Sequence, residues 1–144
     1  MRNSNLYVRA CIFLLIWLFI FSSVSAYPAN STDPPIDVVE IIIRNSTFEF
    51  QGGILKRDQA ATIVVHNQDT ITHGFTSILL ADLDVQVESN GVTTFEKGLK
   101  AVHIDSGKTV RIHFSPNRPG NFSFRCDLHP NMKGEVFVFS IGSI

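Results

Sequence analysis

Two extended runs joined by a tight turn close the chain, and they leave the residues between them little choice of direction. In Asn121-Phe122-Ser123-Phe124-Arg125-Cys126 apolar and polar side chains alternate. The period of two that defines a strand puts Phe122, Phe124 and Cys126 on one face and Ser123 and Arg125 on the other. Gly134 to Ser140 reads as the second strand, with Gly134 permitting re-entry into it. Between the two, Pro130 and Asn131 interrupt the extended backbone. The Cys126 thiol therefore points inward at a strand end, and His129 and Met132 can turn back toward the same point.

A thiol, an imidazole and a thioether thus fall within one short stretch, Cys126-Asp127-Leu128-His129-Pro130-Asn131-Met132. This soft and borderline donor set suits copper in an electron-transfer site, where two imidazoles and a thiolate bind trigonally and a thioether binds weakly along the axis. One imidazole is missing. The candidate is His73, in a loop ahead of a short apolar strand in Asp69-Thr70-Ile71-Thr72-His73-Gly74-Phe75. A lone histidine after a polar turn is more often a surface group, but a cluster short of one imidazole gives this one a place. His66, His103 and His113 lie at the end of, or inside, expected strands and suit hydrogen-bonded structural roles. They offer too few donors for a second copper or zinc.

The N-terminus changes the arithmetic of these donors. Arg2 and Arg9 precede an unbroken apolar run from Cys11 to Phe21, and Val24-Ser25-Ala26 offers small residues for cleavage. The run is short of the roughly 20 apolar residues a membrane span needs, but it suits the core of a signal peptide. Residues 1–26 are therefore expected to be removed and the protein exported to a periplasmic or extracellular compartment. The competing reading is an uncleaved anchor, which alone would bring a membrane into contact with the protein. Cleavage takes away Cys11 and Met1, so Cys126 and Met132 become the only residues of their kind. A lone thiol in an oxidising compartment has no internal disulfide partner and invites oxidation unless something protects it. A metal does so. The alternative, a core cysteine and a gap-filling methionine that happen to be neighbours, does not account for a histidine midway between them.

The chain of 144 residues carries a formal charge of -1, which falls to about -3 once the two N-terminal arginines are gone, and this argues against a nucleic-acid partner. Residues 27–35, rich in Pro, Ser, Asn and Thr, read as a flexible linker to a domain at 36–144. Strands are expected at Ile36 to Ile43, Thr47 to Phe50, Thr62 to Val65, Phe75 to Leu80, Ala101 to Ile104, Val110 to Phe114 and Asn121 to Arg125, with Gly134 to Ser140 last. Ala81 to Lys100, centred on Asn90-Gly91, reads as a hairpin or a long surface loop. Seven or eight short strands predict an all-β antiparallel sandwich or barrel whose core draws on many of the phenylalanines with Ile and Val.

At Pro119-Gly120-Asn121-Phe122 and Cys126-x2-His129-Pro130-x-Met132-x-Gly134 the sequence resembles the cupredoxins, the small blue copper proteins, and its ligand loop is similar to those of amicyanin, pseudoazurin and plastocyanin. The Asn67-x-Asp69 turn before His73 also fits. The resemblance implies a Greek-key β-sandwich holding one type 1 copper ion through His73, Cys126 and His129, with Met132 axial. It implies a one-electron carrier cycling Cu(I)/Cu(II) between redox proteins, with the His129 edge as electron port. Phe75, Phe122 and Phe124 would form the apolar shell around the sulfur and Pro130 the turn beside the port. Many members carry Asn directly after the first histidine to brace the two ligand loops. Here Gly74 stands there, so the brace is absent or supplied by Asn67. No Ser-His-Asp grouping, phosphate loop or paired catalytic carboxylates stand out, so the chain is expected to be a monomeric carrier and not an enzyme. The other readings are a copper delivery or sequestration protein and a red-copper-like site with an altered axial ligand.

Overall fold

Runs of β-branched residues build the first sheet. In the computed structural model, which describes residues 36–140, Val39, Ile41 and Ile43 of β1 (Asp37–Arg44) point into the core, as do Ile63 and Val65 of β4 (Ala61–Asn67). The two strands pair in parallel, Val39 opposite Ile63 and Ile41 opposite Val65. β2 (Thr47–Gln51) flanks β1, and β9 (Thr109–Phe114), β6 (Asp84–Ser89) and β7 (Val92–Lys97) follow β4, giving the order β2-β1-β4-β9-β6-β7. The second sheet runs β3-β11-β10-β5-β8, built from β3 (Leu55–Lys56), β11 (Lys133–Phe139), β10 (Gly120–Arg125), β5 (His73–Ser77) and β8 (Val102–Ile104). The expected all-β Greek-key sandwich is what forms. β9, β10 and β11 alternate inward and outward residues, whereas the central β4 is buried along most of its length and the edge strand β7 is exposed throughout; the inward residues of the two sheets pack face to face. The expected signal peptide and linker lie outside the described residues, as do the last four residues of the domain.

Several local expectations need correction. The sheets are mixed, because β1 pairs in parallel with β4 and β11 with β3. Among the described residues strands number eleven instead of seven or eight: the 81–100 segment is the expected hairpin, with two strands turning at Asn90-Gly91, and the two-residue β3 is too short to leave a periodic trace. The expected strand from Phe75 to Leu80 stops at Ser77, whose hydroxyl accepts from the Leu79 N–H and starts a 3-10 turn over Ile78–Leu80. The core is mainly Ile, Val and Leu. Phe75, Phe114, Phe122 and Phe124 are buried, whereas Phe50, Phe95, Phe137 and Phe139 are exposed on outer faces.

Gly134 has a different reason from the one its place after the turn suggests. It sits within β11 opposite Phe124 of β10, and a Cβ there would run into the Phe124 ring. The missing side chain thus lets Phe124 lie flat across its neighbour and pack against Phe48 and Phe75, with ring centroids at 5.2 and 5.4 Å. Gly134→Ala should lower stability by about 1–3 kcal/mol through overpacking. Urea unfolding of the metal-free protein measures this, and an unchanged midpoint would contradict the assignment.

Candidate metal centre

The end of the sandwich where β4 finishes and β5 begins collects the donors. Alternation along β10 buries Phe122, Phe124 and Cys126 and exposes Ser123 and Arg125, as expected. Past Cys126 the chain closes a small ring: the Cys126 N–H donates to the Met132 carbonyl at 3.0 Å, and the Met132 N–H donates to the His129 carbonyl at 3.0 Å. The second bond closes a β-turn with Pro130 and Asn131 at its centre, where Pro pre-sets the backbone angle the turn needs. Met132 is buried, His129 is half-buried, and Leu128 and Pro130 beside it are exposed.

His73 comes from β5 itself and not from a loop ahead of it; it pairs with Ile104 as the first residue of that strand and is fully buried. The ligand atoms of His73, Cys126 and His129 all lie within 4.8 Å of one another. The two imidazole rings are 4.6 Å apart, and His129 Nδ1 is 3.4 Å from Cys126 Sγ.

The two nitrogens of His73 are treated differently. Nε2 is 2.9 Å from Asp69 Oδ2, whereas the buried Nδ1 has no hydrogen-bond partner. A carboxylate holding the proton on Nε2 leaves a lone pair on Nδ1, the form a metal-binding imidazole takes. An orphaned buried nitrogen is costly, and a metal ion between His73, Cys126 and His129 satisfies it. The donors present therefore fit a copper ion. Cys126 Sγ also accepts a hydrogen bond from the Gly74 N–H at 3.1 Å, an arrangement suited to a thiolate.

Asp69, to which the sequence reading gave no role beyond its turn, organises this corner. Its carboxylate accepts from the Asn45 and Ser46 backbone N–H groups at 2.7 and 2.8 Å as well as facing His73, and its carbonyl accepts from the Ser106 hydroxyl. Asn45 and Ser46 both have φ of 51°, the backbone of a two-residue hairpin turn, which the carboxylate caps. Asn67 is buried and donates to the Ile71 and Ile104 carbonyls at 2.8 Å each, so it ties the His73 approach to β8 but does not reach the Cys126 loop. The brace proposed for it lies elsewhere. Asp127 projects over Gly74, where a Cβ would overlap its carboxylate, and His103 Nε2 holds Asp127 Oδ2 at 2.9 Å. His103 therefore belongs to the site and is more than a strand residue. His66 and His113 bond Thr109 and Thr62 hydroxyls, each at 2.9 Å.

Of the expected apolar shell, Phe75 and Phe124 are buried and in contact, joined by Phe48, which sequence alone did not single out. Phe122 is buried in the same core and carries the Arg118 guanidinium 5.2 Å over its ring.

A buried thiol between two imidazoles at one end of a two-sheet sandwich defines a small metal-binding β domain. The family model for the cupredoxin-like domain matches residues 10–138, and the chain belongs to that family. The fold is similar to the multicopper oxidase McoA from Aquifex aeolicus, with 13% identity, 78% of this chain and 31% of that one covered, and a TM-score of 0.54. It is also similar to a Campylobacter jejuni multicopper oxidase, a metallo-oxidase, with 12% identity, coverage of 76% and 31%, and a TM-score of 0.52. A Cu(I) structure of a methionine-to-alanine variant of amicyanin aligns at 17% identity over 71% of this chain and 82% of that one, with a TM-score of 0.43. The chain thus spans about a third of the length of those two oxidases. Comparison with curated proteins finds no match.

The acid behaviour of Asp69 tests its role as organiser. The Ser46 N–H, most of all, holds its carboxyl below the ordinary carboxylate range; burial opposes this, and the Asn45 N–H and His73 add to the lowering. A depressed folded pKa gives stability that is present above the unfolded value and lost as pH falls through the folded one. Metal-free Asp69→Asn should therefore be less stable than the native protein at neutral pH and lose less of its stability below about pH 5. Urea midpoints across pH measure this; equal losses in both proteins would contradict it.

Proposed function

We propose that the protein is an exported one-electron carrier with one type 1 copper per chain, which His73, Cys126 and His129 would hold with Met132 as a weak fourth donor. The observation that carries this is the unpartnered, fully buried His73 Nδ1, in a histidine gathered with Cys126 and His129 while Asp69 fixes its other nitrogen. Copper bound there would supply reversible Cu(I)/Cu(II) exchange. His73 and His129 offer neutral imidazoles, Cys126 the thiolate, and the strands on either side hold the loop so that the ligands need not move when the charge changes. Phe75 and Phe124 keep water away, and the Gly74 N–H moderates the charge on Cys126 Sγ. Half-buried His129, framed by exposed Leu128 and Pro130, is the edge a redox protein would approach.

Likeness to multicopper oxidases is one of fold. Four protein donors of mixed softness leave no good open position for a substrate, whereas catalytic metal sites keep one, and this favours a carrier over an enzyme. Export would suit a free thiol protected by its metal. No described helix is long and apolar enough to cross a membrane.

The copper-loaded protein should show an intense thiolate-to-copper band in the visible, absent in Cys126→Ser and strongly altered in His73→Ala. It should also hold copper against a chelator through repeated redox cycles. A colourless protein, or one that surrenders copper readily, would contradict the carrier reading, and the second result would favour copper delivery. Met132→Leu should keep the colour and raise the reduction potential; loss of all copper binding would show that Met132 does more than weak axial work.

A further inference from the structure

Gly74 follows His73, and the space its missing side chain leaves is not empty. A Cβ at 74 would overlap the Asp127 carboxylate and come within 3.3 Å of His103 Cδ2. Asp127 follows Cys126 directly, and His103 faces Gly74 across the β5–β8 ladder. Three elements thus meet at one point: the start of β5, the middle of β8 and the loop leaving β10. The hydrogen bond between His103 Nε2 and Asp127 Oδ2, 2.9 Å long, is the side-chain link from β8 to the loop that carries Cys126. Directly beneath it the Gly74 N–H reaches Cys126 Sγ at 3.1 Å.

We propose that Asp127, anchored by His103, is a positioning residue for the metal centre: it fills the space above Gly74 and fixes the Cys126 backbone so that Sγ stays on the Gly74 N–H. The brace that a side chain at position 74 could send outward is here sent inward from the opposite loop. A glycine at 74 is the condition for it. His103 completes the device because a carboxylate at a loop position needs a partner to stay over the glycine, and the ring beside it supplies a directed donor. Removing either partner should let the loop open locally without unfolding the sandwich, since neither side chain belongs to the apolar core.

This inference rests on the copper reading only in its final step, so its test has a part that needs no metal. In the full chain carrying Cys11→Ser, Cys126 is the one thiol. Its reaction with a thiol reagent in the metal-free state reports how tightly the loop is held. His103→Ala and Asp127→Ala should each react about tenfold faster or more. Asp127→Asn, which can still accept from His103, should stay close to the parent. Gly74→Ala should also react faster, because its methyl displaces Asp127. Adding Gly74→Ala to Asp127→Ala should cost nothing further, a non-additivity expected only if the two groups compete for one space. In the copper-loaded protein, His103→Ala and Asp127→Ala should shift the relative intensities of the thiolate-to-copper bands, and Asp127→Asn should restore them.

Parent-like thiol reactivity in both alanine variants would overturn the proposal, whatever copper does. So would additive effects of the Gly74 and Asp127 substitutions, or an altered unfolding midpoint accompanied by an unchanged spectrum. Faster thiol reaction with the predicted non-additivity, in a parent that shows no thiolate band at all, would uphold the positioning role and overturn the copper reading alone.

Discussion

The contact between Asp69 and His73 settles more of this molecule than any other single interaction. An imidazole buried in an apolar sandwich must place both nitrogens. Asp69 takes one, and the other is left facing Cys126 and His129 with no protein partner. The same carboxylate caps the Asn45-Ser46 turn, whose backbone lies in a region side-chain-bearing residues rarely adopt, and its main chain receives the Ser106 hydroxyl. One acidic residue thus joins the Asn45-Ser46 hairpin turn and the Ser106 loop to His73, the first and the last through its carboxylate and the loop through its carbonyl.

The sandwich exists around this corner as a rigid frame. Parallel pairing of β1 with β4 carries the chain to Asn67, whose amide locks the following turn onto β8 and so aims β5. On the other side, Phe124, buried two residues before Cys126, packs with Phe48 and Phe75 in an arrangement made possible by the bare backbone at Gly134. The two halves meet through the Gly74 N–H and Cys126 Sγ. The corner is thus held from both sheets by the protein's own contacts.

What could be read in the sequence was what is local. Alternation from Asn121 to Cys126 fixed the direction of the thiol, and Pro130-Asn131 marked the turn that folds His129 and Met132 back, because side-chain period and turn chemistry act over a few residues. The hairpin at Asn90-Gly91 was legible for the same reason. Parallel pairing of β1 with β4 was not, since a buried strand has the same pattern whichever way its neighbour runs. His73 was placed in a loop because Thr72-His73-Gly74 lacks a strand's apolar rhythm, yet its position opposite Ile104 makes it a strand residue. Sequence shows Gly134 only as a residue permitting re-entry into the last strand, because its packing reason, the Phe124 ring, lies on another strand. His103 and Asp127 are 24 positions apart, and no spacing rule joins them. Phe137 and Phe139 alternate with buried valines and so face outward, which composition alone could not reveal.

The central claim is that His73, Cys126 and His129 act together as ligands of one copper ion, and X-ray absorption at the copper edge of the loaded protein tests it most directly. The account predicts one copper per chain with a single short copper–sulfur interaction and two imidazole nitrogens, one of which disappears in His73→Ala. A spectrum with no short sulfur scatterer, or with both imidazoles retained after that substitution, would contradict it.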